Sequence, residues 1–329
     1  MWQWGTCIKI NIATHYWCTS NSFGRCKKER EQLSSIQAVC VGVITVDTVA
    51  LVDRYPTEDE RVVAHEIVRG GGGPAAVAAV TLSRLGVKTA IIGTICDDAD
   101  GKEVLGIFEK EGVDTSGISV GISPTAGSVI VSSLERSTRA INTRQPVVQA
   151  SINEPAKKLI ANAQWLHVDH VGINRLDEMG VARGKGPQIS FDAGYGVETF
   201  DPMTVDLFVP TDRQMSLRYP GVDLAVALKN DSIKADNIVV ATQGSAGSAG
   251  YSAETGFVTA PGFKVDVTST LGAGDVFHGA LVAQLIQGRQ LQDAMRRANA
   301  VAALSCRGLD GQSMIPTTSE LDAYLEANK

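Results

Sequence analysis

The chain has 329 residues, of which 44% are hydrophobic and 20% are charged. This composition is typical of a globular protein and too apolar for a disordered one. Its formal net charge of −6 excludes a general electrostatic attraction to nucleic acids or anionic membranes, so any anionic ligand must be held by local groups. The six cysteines show no CxxC pair and no Cys/His ligand spacing, which argues against a zinc site or a disulfide framework and predicts a cytoplasmic protein.

Residues 1–37 differ in composition from the rest of the chain. They hold three of the four tryptophans and three of the six cysteines, and they lack both the apolar centre of a secretory signal and the run of about 18 apolar residues that a membrane span needs. We predict that residues 1–37 are an extension outside the fold and that residues 38–329 form the functional domain. The alternative is that they contain a genuine first structural element.

From Ala38 onward, buried strands alternate with helices. The run AVCVGVITVD predicts a first strand that ends at Asp47. A nearly continuous run of apolar, β-branched residues is typical of strands buried on both faces. A glycine turn at residues 70–73 enters an Ala-rich helix that closes at Gly86, and the strand KTAIIGTIC and the helix GKEVLGIFEKEG follow. Later strands are predicted at QWLHVDHV, PQISFDAG, VDLFVPT and NIVVATQG. This order indicates an α/β fold with a mostly parallel, doubly wound sheet between two helix layers.

Two segments interrupt the alternation, at about 48–68 and 121–146. Both are rich in strand formers with one polar face. We predict that they form a small β-sheet lid over the carboxyl edge of the main sheet, where α/β folds bind ligands.

Residues 267–288, VTSTLGAGDVFHGALVAQLIQG, carry the clearest chemistry. Gly272, Ala273 and Gly274 leave backbone N–H groups unobstructed at the start of an apolar helix, and such a helix end can hold a phosphoryl group during transfer. Asp275 follows in the first turn, where a carboxylate can take a proton from an attacking hydroxyl. The alternative is an ordinary acidic residue at a helix N-terminus.

The segment TLGAGDVFHGAL resembles the C-terminal signature of the ribokinase-like PfkB carbohydrate kinases, DTTGAGDxFxGA, and GGGGPAAVAAVTLSRLGVKTAIIGTICDDADG resembles their N-terminal signature. Two signatures in the right order support the assignment over about residues 38–320. The resemblance implies the ribokinase-like fold and transfer of the γ-phosphoryl of ATP to a sugar hydroxyl. It also implies that Asp275 is the catalytic base and that residues 272–274 form an anion hole.

The resemblance further implies a sugar site at Asp47, Gly71, Gly72 and Gly73. Taken alone, Asp47 would be a turn or cap residue. The stretch from Gly70 also satisfies the dinucleotide pattern GxGxxA, which would indicate an oxidoreductase. The preceding charged, alternating strand and the proline inside the motif argue against that alternative.

The ATP site is implied at TQGSAGSAGY, through Thr242, Gly244 and Gly247, and at Asn299 beside the adenine. Taken alone, the glycine and serine tract would be a turn, and Asn299 a polar residue on a helix surface. Mg²⁺ is expected to arrive with ATP, because the charge of the triphosphate must be neutralised.

Several positions depart from the family pattern. Ser269 replaces the usual aspartate and Leu271 the usual threonine, which argues against activation by a monovalent cation. The NxxE motif associated with Mg²⁺ is replaced by residues 212–215, DRQM, so no metal ligand is assigned, although Asp212 offers a carboxylate.

Other stretches, GGGPAA, TQGSAG and FKVDV, resemble the sulfofructose kinase branch. An anionic group on the substrate would need a cation, for which Arg139 is our first candidate and Arg61 and Arg144 are others.

We therefore predict an ATP-dependent sugar kinase. The alternatives are a nucleoside kinase of the same fold and a sugar-binding or nucleotide-binding protein with weak transfer. The apolar alternation of the lid strands also predicts a homodimer through the lid.

Overall fold

The structure is a computed structural model that describes residues 35–136, 138–144, 148–194 and 199–329. Residues 36–329 form one compact unit. Most of the predicted extension at residues 1–37 lies outside the described residues, so its role stays a prediction. Among the helices of the described ranges, none combines the length and the apolar character needed to cross a bilayer.

Eight strands form the main sheet, and six of them run parallel. They are β1 (Ala38–Val41), β4 (Thr89–Ile92), β9 (Trp165–Val168), β10 (Gln188–Asp192), β11 (Leu207–Val209), β12 (Ile238–Thr242), β13 (Gly247–Ser252) and β14 (Gly256–Pro261). The spatial order is β14-β13-β12-β11-β10-β9-β1-β4, with β13 and β14 antiparallel at one edge. The parallel strands therefore end along one edge, the usual ligand-binding edge of such sheets.

Helices cover both faces of this sheet. They are α1 (Pro74–Arg84), α2 (Ala99–Lys110), α3 (Glu154–Asn162), α4 (Leu176–Met179), α5 (Asp212–Arg218), α6 (Leu224–Ala235), α7 (Ala273–Ile286), α8 (Leu291–Ser305) and α9 (Thr318–Ala327). Successive side chains of a strand point to opposite faces. Thus Ala38 and Cys40 join the core that contains α1, α7 and α8, whereas Val39 and Val41 join the core that contains α3 and α6. The predicted three-layer α/β fold is confirmed.

A second, four-stranded sheet consists of β2 (Thr45–Val52), β3 (Glu66–Gly72), β7 (Gly127–Ser133) and β8 (Thr138–Thr143), in the order β3-β2-β7-β8. A short pair, β5 (Thr94–Ile95) and β6 (Ser119–Val120), completes the strands of the described ranges. Val49, Leu51 and Ile130 of the small sheet pack with Leu309 and with Leu271, which lies two residues before the start of α7. The small sheet therefore covers the loop that leads into α7.

The prediction of one strand from Ala38 to Asp47 was wrong. The chain leaves the main sheet after Val41 and enters the small sheet at Thr45, so Asp47 is the third residue of β2. At the break, a Cβ on Gly42 would lie 2.1 Å from the carboxylate carbon of Asp169. Glycine thus lets the backbone pass directly over this carboxylate.

The glycine run was also placed wrongly in part. Residues 70–72 belong to β3, and only Gly73 forms the turn before α1. The small sheet consequently includes residues on both sides of the predicted segment 48–68.

Candidate active site

The backbone N–H groups at the start of α7 are unobstructed. Gly272 has a φ of 72°, a left-handed conformation that glycine adopts at little cost. The N–H of Ala273 lies 3.4 Å from the carbonyl oxygen of Thr270, which is long for a hydrogen bond. Within the described part of the chain, the N–H groups of Gly274 and Asp275 have no acceptor. Free N–H groups at a helix start favour an anion.

Asp275 lies in the first turn of α7 beside a second carboxylate, Asp192, at the end of β10. One side-chain oxygen of each and a ring nitrogen of His278 all lie within 4.8 Å of one another. Burial and the Asp192 carboxylate raise the pKa of Asp275 well above its usual range. Such a carboxylate is a stronger base than an exposed one.

His278 stands one helical turn after Asp275 and is 7% exposed. Its Nε2 donates to the carbonyl oxygen of Val209 at 3.1 Å. Its Nδ1 lies 2.9 Å from Oδ2 of Asp192, off the line of a regular hydrogen bond, so the contact is chiefly an ion pair. Burial opposes the charged imidazole, but the Asp192 carboxylate outweighs it and raises the pKa of His278. Burial likewise opposes the charge on Asp192, and the imidazole prevails and lowers its pKa.

Two buried residues from β9 and the loop after it complete these surroundings. Asp169 accepts hydrogen bonds from the N–H groups of Val43 at 2.6 Å, Val171 at 2.8 Å and Gly172 at 3.0 Å. Burial nevertheless raises its pKa. His167 is fully buried, and burial lowers its pKa to about 4, so it is neutral near pH 7.

The predicted sugar residues come together where β2 and β3 pair. A Cβ on Gly72 would lie 1.9 Å from Oδ2 of Asp47, so this glycine gives the carboxylate its room. Burial raises the pKa of Asp47, although Ser128 and Thr45 beside the carboxylate oppose this shift, and its buried Oδ1 makes no hydrogen bond of regular geometry in the described ranges. Gly71 faces Gln312 and Gly73 faces the carbonyl of Val43. The Asp47 carboxylate is therefore left with an unsatisfied acceptor.

Arg139 of β8 reaches the other end of the site. Its Nη1 donates to Oγ1 of Thr270 at 3.2 Å, two residues before Gly272. In the described ranges, no carboxylate lies within ion-pair distance of it. In contrast, Arg144 pairs with Asp100 at 3.2 Å, and Arg61 is simply exposed.

The predicted nucleotide residues form a second group. Thr242 ends β12, Gly244 begins a 3-10 turn, and Gly247 begins β13. Asn299 of α8 is buried rather than on a helix surface, and its Nδ2 donates to Oγ of Ser248 at 3.1 Å and to the carbonyl of Ala260 at 2.9 Å. These bonds tie α8 to β13 and β14. Its contact with adenine stays a prediction.

Met215 and Asp212 belong to the residues that replace the NxxE motif, and they differ in what they can offer a metal ion. Met215 is 1% exposed in the core and cannot serve a metal. Asp212 lines a cavity of about 200 Å³ together with Gln243 of the predicted nucleotide loop, residues 242–251. The Asp212 carboxylate therefore lies beside that loop. Ser269, where the family has aspartate, accepts a hydrogen bond from the N–H of Leu271 at 3.1 Å. It contributes only a hydroxyl that is turned to its own loop.

Asp192, Asp169 and His278 were missed in the sequence. Each aspartate is the third residue from the end of a predicted strand segment, and carboxyl ends of parallel strands share one edge, so their position was a usable signal. His278 is three residues after Asp275, a spacing that puts both side chains on one helix face.

Known proteins resemble this chain over most of its length. The model of the pfkB family carbohydrate kinases matches residues 35–181 and 204–318. An ATP-dependent ribose-1-phosphate kinase of Halopiger xanaduensis is 27% identical over 305 residues, covering 88% of this chain and 98% of that protein. A ribokinase of Bacillus subtilis is also 27% identical over 305 residues, covering 87% and 99%. The structure of Arabidopsis thaliana ribokinase complexed with ribose and ATP has a TM-score of 0.73 at 20% identity, covering 89% and 99%. The chain belongs to the pfkB family and is an ATP-dependent carbohydrate kinase.

Proposed function

We propose that this kinase transfers the γ-phosphoryl of ATP to a hydroxyl of a small sugar held between Asp47 and the start of α7. The observation that carries the proposal is the placement of Asp275, a carboxylate with a raised pKa, beside the free N–H groups at the start of α7. A base and an anion-binding helix end are the two groups that this transfer needs.

In the proposed reaction, Asp275 takes the proton of the sugar hydroxyl as the oxygen attacks the γ-phosphorus. The new bond joins the sugar oxygen to this phosphorus, the bond to the β,γ-bridging oxygen breaks, and ADP leaves. The N–H groups of Gly274 and its neighbours stabilise the charge on the transferring phosphoryl group. The proton on Asp275 is then released to solvent.

On the sugar side, the unsatisfied Oδ1 of Asp47 is available to accept a hydrogen bond from a sugar hydroxyl. On the nucleotide side, Thr242, Gly244 and Gly247 face the phosphates and ribose of ATP. Mg²⁺ bound with ATP neutralises part of the charge of the triphosphate, and the Asp212 carboxylate beside the nucleotide loop is suited to a water-mediated contact with it.

The test is release of ADP in the presence of ATP, Mg²⁺ and one acceptor at a time. The panel contains ribose, fructose, ribose 1-phosphate, sulfofructose and adenosine. We expect release that depends on a sugar. Nucleotide binding without sugar-dependent ADP would instead support a binding protein, and activity with adenosine alone would support a nucleoside kinase.

Arg139 is our candidate for reading an anionic group on the acceptor, since it has no carboxylate partner in the described ranges. We expect Arg139→Gln to raise KM for a phosphorylated or sulfonated acceptor roughly tenfold, because a charge-assisted hydrogen bond contributes about 1.5–3 kcal/mol when buried and less when exposed. KM for a neutral sugar should not change. Arg136→Gln, in the turn before β8, is the control, and an equal effect of both variants would contradict the assignment.

A homodimer through the small sheet is the proposed assembly. Ile67 and Val129 are 67% and 57% exposed, and both belong to this sheet. Exposed apolar side chains on a sheet favour coverage by a partner. Sedimentation velocity at micromolar concentration should show a dimer, and a monomer throughout would contradict it.

A further inference from the structure

His278 and Asp192 have no assigned role in the proposed transfer, yet they are the groups next to Asp275. We propose that they are positioning residues: the imidazolium of His278 holds the Asp192 carboxylate beside Asp275, and the opposite charges of these two neighbours set how readily Asp275 accepts a proton. The inference rests on the proposed role of Asp275.

The hydrogen-bond partners of His278 fix its protonation. Its Nε2 faces the carbonyl oxygen of Val209 at 3.1 Å, and a carbonyl only accepts, so Nε2 carries a proton. Its Nδ1 lies 2.9 Å from a carboxylate oxygen of Asp192. Despite burial, the pKa of Asp192 is lowered and that of His278 is raised by this contact, which assigns the proton between them to Nδ1 and makes the ring a cation.

The cluster of Asp192, Asp275 and His278 brings two carboxylates and one imidazole together. Two carboxylates that share one site without a cation do not readily ionise together. The imidazolium offsets one of these negative charges, so the second carboxylate, Asp275, can also be ionised. Asp192 in turn strengthens Asp275 as a base through repulsion between like charges. The two positioning residues therefore act in opposite directions on the same carboxylate.

Other groups around this cluster do not replace this effect. Asp169, after β9, adds negative charge, and His167 on β9 is neutral because burial lowers its pKa to about 4. From the helices packed on α7, Arg84 of α1 is paired with Glu111 and Arg297 of α8 with Asp322. Cys40 on β1 stays a neutral thiol, because burial raises its pKa. His278 is thus the cation at this carboxylate pair within the described ranges.

The first test reads the charge of His278 without any turnover. The protein has five histidines, so ¹⁵N-histidine labelling yields few signals, and His278→Gln assigns the one of interest. At pH 7.5 we expect both ring nitrogens of His278 to be protonated, whereas His167 is neutral. A neutral His278, or stoichiometric binding of a divalent cation to Nδ1 in the absence of nucleotide, would overturn the inference.

The second test is the pH profile of kcat/KM for three variants. His278→Gln keeps a donor to Val209 and removes the cation, so the acidic limb should move up by about one pH unit. Asp192→Asn removes the repelling carboxylate, so the limb should move down by about one unit. His167→Gln, the same change at a neutral ring, should leave the limb in place.

Opposite shifts of the acidic limb in His278→Gln and Asp192→Asn would show an electrostatic role. A merely structural role would lower activity in both variants without moving their acidic limbs apart. Shifts in the same direction, or none, would overturn the inference while leaving the sugar kinase activity intact. Should His278→Gln fail to fold, the pH profile of Asp192→Asn still decides. Absence of sugar-dependent ADP in the unaltered protein would instead count against the proposed function.

Discussion

Replacing Asp275 by asparagine should lower kcat by about 10²- to 10⁴-fold, the usual contribution of a positioned general base. The amide has nearly the shape of the carboxylate but cannot accept the proton of the sugar hydroxyl. KM for ATP should change little, because the N–H groups at the start of α7 stay in place. A steady-state assay with the best acceptor of the panel, together with a thermal melt, measures both properties.

The fold should tolerate this substitution. Burial and Asp192 already raise the pKa of Asp275, so its negative charge is held at a cost, and a neutral amide removes that cost. The matched control is Asp293→Asn, which alters an acidic residue in the first turn of α8, paired with Arg289 at 3.0 Å. If Asp275 were only an ordinary acidic residue at a helix start, both variants would behave alike. Unchanged turnover in Asp275→Asn would remove the proposed mechanism.

Replacing Gly72 by alanine should raise KM for the sugar roughly 10- to 100-fold, which corresponds to the loss of one charge-assisted hydrogen bond of about 1.5–3 kcal/mol. A Cβ there would lie 1.9 Å from Oδ2 of Asp47 and 2.6 Å from Oγ1 of Thr45. The carboxylate must therefore turn away from its present place. The fall in kcat at saturating sugar should be smaller, since Asp275 and the α7 helix start are untouched.

A control for Gly72→Ala is available in α2. A Cβ on Gly106 would meet no atom within 4 Å, and alanine in a helix is more stable than glycine by about 0.5–1 kcal/mol. Gly106→Ala should thus melt slightly higher with unaltered KM. An unaltered KM in Gly72→Ala, with normal folding, would show that Asp47 does not hold the sugar.

The chemistry at α7 could be predicted because it is local. Gly272, Ala273, Gly274 and Asp275 are contiguous, and a helix start after a glycine turn is visible in the spacing of apolar residues. The alternation of strands and helices likewise predicts the layers. The site residues that lie within one signature could therefore be predicted from the sequence.

Contacts between segments that are distant in the sequence could not be predicted in the same way. The pairing of Asp192 with His278 depends on which strand lies under α7, and the strand order decides that. The break at Gly42 depends on Asp169, which arrives from a later strand and occupies the space that a side chain would need. A run of β-branched residues indicates strand in both halves of the segment 38–47 but does not say that the halves belong to different sheets.

The packing of Val49, Leu51 and Ile130 against Leu271 and Leu309 has a mechanical consequence for substrate entry. These apolar side chains are shared between the small sheet and the loops beneath it. Any swing of that sheet away from the body must hydrate them, at about 25 cal/mol for each Å² exposed. This free energy favours the packed position of the sheet, and any substrate that needed more room at this edge would have to supply it.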